Sequence, residues 1–300
     1  MTTATELSRP SAIAAWALAT RPRTLVAGFV PVAVGSALAC RDGKFVALSA
    51  LAALIGALFI QIGTNLVNDY FDFKRGADTV DRLGPPRATQ QGWLTPRAVI
   101  TGAMVCFGLA FVVGLYLVSV AGWPLMVIGL TSLLAGYAYT GGPFPLAYNG
   151  LGDLFVLIFF GFVAVCGTYF VQAGTVTPIA FACAVPVGLL GCALLAVNNT
   201  RDEKTDAAAG KRTLVVRFGT RFGKLEYVFC LAVSALVPLA LVLTGQTTAW
   251  VMLSWLAAPL AIPPLRTLFT QTGSALNGAL AGTARLQMVF GILFAAGLSQ

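Results

Sequence analysis

The chain has 300 residues, of which 58% are hydrophobic and only 10% charged; an ordinary globular protein has roughly 45–50% and about 25%. Together with a mean hydropathy of +0.84, this excludes a soluble domain and leaves a bilayer as the solvent. A formal charge of +8 invites a nucleic-acid reading, but the basic residues sit in short connections between apolar runs, where membrane orientation accounts for them.

Nine apolar runs follow in chain order, at about 24–40, 45–67, 97–120, 122–140, 151–172, 177–198, 225–244, 247–265 and 275–298. At about 20 residues per crossing, they predict an all-α, polytopic bundle of about nine transmembrane helices, a single membrane domain over residues 1–300. Ala37-Leu-Ala-Cys40 faintly resembles a processing site, but with eight spans following, the first run reads as retained. Prolines 124, 186, 238, 259, 263 and 264 lie in or beside runs and predict kinks, which neighbouring helices make tolerable. The six cysteines all lie in apolar runs without a CxxC pair and read as small hydrophobes.

With the N-terminus inside, sixteen basic residues fall on the cytoplasmic side, from Arg9, Arg21 and Arg23 to Arg266, and only Arg41 and Lys44 fall outside. Arg285 lies within the last run; it either faces the cavity or a phosphate, or snorkels to a helix end. The positive-inside rule therefore predicts a multi-pass protein of the bacterial cytoplasmic membrane whose polar loops face the cytosol.

Two of those loops hold seven of the eleven acids. The first runs from Asn65 through Asn68, Asp69, Asp72, Lys74, Arg75, Asp78, Asp81 and Arg82 after the second run; the second holds Asn199, Asp202, Glu203, Asp206, Lys211 and Arg212 after the sixth. Asp69 and Asp72 are three residues apart and Asp202 and Asp206 four, so each pair shares one face if its helix continues. Like charges one turn apart at membrane depth need a cation. With no histidine in the chain, an all-oxygen ligand set of Asp69, Asp72, Asp202 and Asp206, with Asp78 in reserve, suits hard Mg²⁺ completed by phosphate and water. Asn68, Lys74, Arg75, Arg82, Asn199, Lys211 and Arg212 are then candidates for holding a diphosphate. Solvated loops with acids as counter-ions are the bland alternative, weakened because the pattern occurs twice.

These motifs resemble the paired aspartate-rich motifs of the UbiA superfamily of intramembrane aromatic prenyltransferases. The stretches Trp16–Leu25, Asp81–Gly92, Tyr139–Asp153, Asn198–Leu214 and Leu276–Gln287 extend the likeness along the chain, closest to the 1,4-dihydroxy-2-naphthoate polyprenyltransferases of menaquinone synthesis. The resemblance implies a nine-helix bundle whose cavity opens to the cytosol beneath the motifs. It also implies catalytic Asp69, Asp72, Asp202 and Asp206 and transfer of a polyprenyl group from its diphosphate to the naphthoate, with loss of CO₂. Tyr139, Tyr148, Asn149 and Asp153 are the candidates for orienting the acceptor, Asn149 also reading as a turn residue. Position 76 is Gly where the superfamily pattern has a further acid, which leaves Asp78 in doubt as a ligand. No Lys lies between Tyr137 and Asp153, against 4-hydroxybenzoate as acceptor.

Tyr70, Phe71, Phe155, Phe159 and Tyr169 are candidate π faces for a carbocation, each equally readable as packing. Homogentisate and tetrapyrrole acceptors stay open within the superfamily. A transporter is the rival from another class, disfavoured because the acids cluster at one face rather than at mid-membrane. A CDP-alcohol phosphotransferase signature is absent.

Overall fold

The computed structural model describes residues 10–79 and 82–300, so Arg9 and Asp81 lie outside the described residues. The described chain is helical in every apolar run. It begins with α1 (Ala12–Ala19), which Ser11 caps by accepting the Ala14 amide. Arg21, at φ 53°, and Pro22 then turn the chain through a 51° bend into α2 (Val26–Arg41). Asn65 fixes this bend, its amide donating to the Thr20 carbonyl and the Thr24 hydroxyl, both at 2.9 Å.

Next come α3 (Ala47–Lys74), α4 (Pro96–Ala121) and α5 (Pro124–Ala138). Then a single span is built from α6 (Gly152–Val156), a π-helical stretch (Leu157–Val163) and α7 (Ala164–Ala173). It is followed by α8 (Pro178–Ala208), the short α9 (Leu214–Phe218) and α10 (Thr220–Leu243). A 3₁₀ stretch (Ala249–Ala261) leads into α11 (Ile262–Thr270), and α12 (Leu276–Leu298) closes the chain.

Seven helical segments are long and apolar enough to cross a membrane, and the bent α1–α2 pair makes an eighth. The ninth expected crossing is α5, which has 15 residues and so measures roughly 22 Å against a hydrocarbon core of about 30 Å. It stops short because Gly141, Gly142 and Pro143 follow, which replace the last helical turns with a loop (139–151) lying over the bundle. The α1–α2 bend and the last turn of α12 lie at opposite ends of the bundle. Arg21 donates to the Asn65 carbonyl, beside the first motif. Gly297 backs onto Trp250, near Gln246, whose carbonyl accepts from Arg41 at 2.8 Å.

The long pairings are α3 with α4, α8 with α10, and α12 with the 3₁₀ stretch and α2. With lipid as solvent, close van der Waals contact rather than hydrophobic drive holds helices together, so small residues occupy the crossings. At the α2–α7 crossing a Cβ on Gly35 would stand 2.6 Å from the Val165 carbonyl oxygen. Gly35→Ala is therefore expected to cost about 1–3 kcal/mol, seen as a lowered Tm of the detergent-solubilised protein; an unchanged Tm would contradict that close approach.

Candidate functional site

The α3 residues Ala53, Gly56, Ile60 and Thr64 line a cavity of about 190 Å³ between α2, α3, α4, α5 and the α6–α7 span. Their three- and four-residue spacing continues to Asn68 and Asp72, so the same helix face carries the cavity wall and, above it, the polar end. The cavity follows α3 for roughly 16 Å, and its wall is otherwise almost wholly apolar. Phe155 and Phe159 line it as a stacked pair with centroids 5.7 Å apart.

The second motif comes from α8, whose positions Gly188, Cys192, Leu195, Asn199, Asp202 and Asp206 form one such stripe. Beyond α8 the chain turns back so that Lys211 faces both motifs: its Nζ is 3.4 Å from Asp72 Oδ1 and 3.5 Å from Asp206 Oδ1. Carboxylates separated by 134 residues of chain thus converge on a single cation. Burial pulls the Lys211 ammonium toward neutrality, but Asp72, Asp206 and Asp78 more than offset it, so its pKa is raised and it stays charged.

The two acids of each motif do different things. Asp72 and Asp206 face Lys211. Asp69 lies a quarter-turn round α3, buried, where its oxygens accept the amides of Ala88 and Thr89 at 3.2 and 3.3 Å. Asp202 takes two hydrogen bonds from Arg201, Nε at 2.8 Å and Nη2 at 2.5 Å. The remaining Arg201 donors reach Asn198 and Asn277. The first acid of each motif thus anchors backbone or a neighbouring helix, and the second points into the shared site.

Around that centre, Tyr148 donates its hydroxyl to Asp72 Oδ1 at 2.8 Å. Burial, then Asp72, push this phenol's pKa up, so it remains a donor. Thr140 Oγ1 donates to Asn68 Oδ1 at 2.6 Å. The Arg75 guanidinium holds the Thr140 and Gly142 carbonyls and lies over the rings of Phe71 and Tyr148, so it braces loop 139–151. Asp78 pairs with Arg82, and its Oδ2 is 3.5 Å from Arg87 Nε. Burial pushes this carboxyl up to about 6 against the pull of Arg82. Asn199 is buried on the same stripe of α8 as Asp202 and Asp206.

Other candidates are placed elsewhere. Lys74 is exposed, over the Tyr70 ring at 5.9 Å, and Arg212 is exposed while its backbone amide donates to the Tyr148 carbonyl. Asn149 donates to the Pro145 carbonyl at 2.8 Å, stabilising its own turn. The Tyr169 hydroxyl binds Asp42 at 2.5 Å, at the end of the bundle away from the motifs, which removes it as a cation shield. Arg285 lies on the exposed face of α12, so it does not face the cavity. Tyr139 does line the cavity, and burial, then Asp153, push its phenol up.

Arg87 is a site residue outside the candidate set. It is buried, 3.7 Å from Asp72 and close to Asp78, and its Nε has no hydrogen-bond partner. Its signal was available: a basic residue within the stretch that follows the first motif. Arg201, buried beside Asp202, and Arg21, half-buried beside Asn65, were visible only as loop charges.

The UbiA prenyltransferase family model matches residues 28–294. The chain belongs to the UbiA prenyltransferase family. Two bacterial UbiA relatives, from Mycobacterium tuberculosis and Bacillus subtilis, are each a 1,4-dihydroxy-2-naphthoate octaprenyltransferase. The first is 40% identical, with 84% of this chain and 85% of the relative covered. The second is 35% identical, with 94% and 91% covered. The same fold occurs in a UbiA homologue from Archaeoglobus fulgidus solved with GPP and Mg²⁺, at TM-score 0.65 and 15% identity, covering 94% of this chain and 99% of that one.

Among the described residues, no three acids are grouped tightly enough to hold a metal ion unaided. Asp72 and Asp206 nonetheless already share a cation and offer only oxygen, which suits an ion bound by one or two carboxylates plus substrate. Removing the ammonium in Lys211→Met leaves the two carboxylates uncompensated and is expected to cost about 3 kcal/mol. Adding Asp72→Asn should recover part of that loss. Strictly additive losses in thermal unfolding of the single and double variants would contradict the shared contact.

Proposed function

We propose that this chain transfers a polyprenyl group from its diphosphate to 1,4-dihydroxy-2-naphthoate, with loss of CO₂, giving a demethylmenaquinone. The observation that carries the reading is the meeting of Asp72 and Asp206 at Lys211, with Asp72 about two turns beyond Thr64 on the α3 face that lines a long apolar cavity. That arrangement fits a substrate with a multiply charged head and a hydrocarbon tail. The names of the bacterial relatives support the naphthoate as acceptor.

Asp72 and Asp206 would hold Mg²⁺, with Asn68 and Asn199 beside them. When bound, the ion neutralises charge on the leaving diphosphate and so eases ionisation of the allylic C–O bond. Lys211 and Arg87 hold the outer phosphate oxygens, and fixed cations placed where charge develops stabilise the transition state more than the ground state. Tyr148 keeps the Asp72 carboxylate turned toward the head group through its 2.8 Å hydrogen bond. The stacked faces of Phe155 and Phe159 lie along the cavity, where they shield an allylic cation and exclude water. Tyr139, between cavity and polar end, orients the aromatic acceptor.

Orientation follows from charge. The motif end carries Arg21, Arg82, Arg87, Lys211 and their neighbours, while Arg41 and Lys44 lie at the other end near Gln246 and Ala173. The active site then faces the cytosol, with the N-terminal segment inside, in a bacterial cytoplasmic membrane.

In purified protein, Asp72→Asn and Asp206→Asn are each expected to lower prenyl transfer at least ~100-fold in variants that remain folded, because each removes a ligand for the ion. EDTA should silence the wild type. Mass spectrometry should find a product equal to naphthoate plus prenyl group minus CO₂; a product retaining the carboxyl group, or full rates without divalent cation, would contradict this reading.

A further inference from the structure

Outside the diphosphate site the bundle contains a second pair of acids. Asp153 opens α6 immediately after loop 139–151, and Glu226 lies six residues into α10. Their carboxyl groups are within hydrogen-bonding reach of one another. Asp153 Oδ1 and Glu226 Oε2 are each buried without a hydrogen-bond partner, and Asp153 is only 8% exposed. None of the ion pairs among the described residues involves either acid. Two carboxylates in contact, away from water and without a cation, do not both ionise; they hold one proton between them and titrate as a unit.

The pair adjoins the cavity. Phe155 and Val156, the next turn of the same helix, line it. So does Tyr139, whose hydroxyl is 3.2 Å from where a Cβ on Gly152 would stand. The Asp153 carbonyl accepts the Cys192 thiol at 3.3 Å. Cys192 lies on the α8 stripe, seven residues or roughly 10 Å before Asn199 and fourteen residues or roughly 21 Å before Asp206.

We propose that Asp153 and Glu226 share one proton and act as the proton shuttle of the transfer, Asp153 as the catalytic member facing the acceptor and Glu226 as the positioning residue that keeps the pair singly charged. The inference rests on the naphthoate reading above. As the ring carbon that bears the carboxylate forms its bond to the allylic carbon, the C–O bond to diphosphate breaks. The neighbouring hydroxyl becomes a carbonyl, passing its proton to the ionised member of the pair. The bond to the carboxylate then breaks, CO₂ departs, its electron pair restores the aromatic ring, and the oxygen takes its proton back. The pair begins and ends with one proton, and no further reactant is needed.

The test compares wild type, Glu226→Gln and Asp153→Asn, near-isosteric changes that preserve a hydrogen bond between the two helices but leave one carboxylate with no partner to share a proton. Steady-state kinetics with 1,4-dihydroxy-2-naphthoate are paired with calorimetric titration of a non-hydrolysable prenyl diphosphate analogue in Mg²⁺. The expected result is a kcat lower by ~10²–10⁴-fold, with the KM for prenyl diphosphate, the Kd of the analogue and the Tm within twofold or a few degrees of wild type. Wild-type kcat in either variant overturns the proposal. So does a kcat loss matched by loss of analogue binding or of Tm, which marks a purely structural tie between α6 and α10. A wild type that binds the analogue but does not prenylate the naphthoate overturns instead the functional reading on which the proposal rests.

Discussion

The structure depends on putting negative charge where a membrane protein can least tolerate it and offsetting it from the chain's own basic side chains. Asp72 and Asp206 face each other across Lys211, while Asp69 and Asp202 are neutralised separately by backbone amides and by Arg201. A buried ion pair adds little net stability, so the arrangement makes better sense as a site held ready for a larger cationic and phosphate load. Lys211 occupies the position of shared attraction, and its charge is secured by the carboxylates that a metal would later engage.

Everything that frames this centre converges from distant chain segments. α3 runs a single stripe from the cavity wall to the polar end, so one face of that helix specifies both the tail cavity and a head-group ligand, while α8 supplies the second ligand. Loop 139–151, possible because α5 stops at 15 residues, closes the top through Arg75, Thr140 and Tyr148. The span that begins with α6 returns beneath it and brings Phe155 and Phe159 to the cavity wall, with Asp153 in the turn before them. An apolar channel beside a charged mouth lets one substrate satisfy both environments at once.

Much of this was legible in the order of residues. Apolar runs of adequate length mark the spans, because a bilayer leaves few other places for them, and the repeated Asn-plus-acid pattern marks the ends of α3 and α8. Division of labour within each pattern was not legible. Asp69 and Asp72 are near neighbours on a helical wheel, and only the return of the 87–89 loop decides that Asp69 spends its oxygens on amides. Asn149 and Tyr169 carry the right chemistry but are committed to a turn and to Asp42. Glu226 was readable as an acid inside an apolar run, an expensive placement that signals function, yet its partner Asp153 lies in another helix and no local spacing connects them.

The account is tested most directly by a structure with a non-hydrolysable prenyl diphosphate analogue and Mn²⁺ in place of Mg²⁺, read through the anomalous signal of the metal. It predicts metal density bridging Asp72 and Asp206 through the diphosphate, with the prenyl tail entering the cavity along α3. Metal bound to one motif alone, or a tail lying outside that cavity, would contradict it.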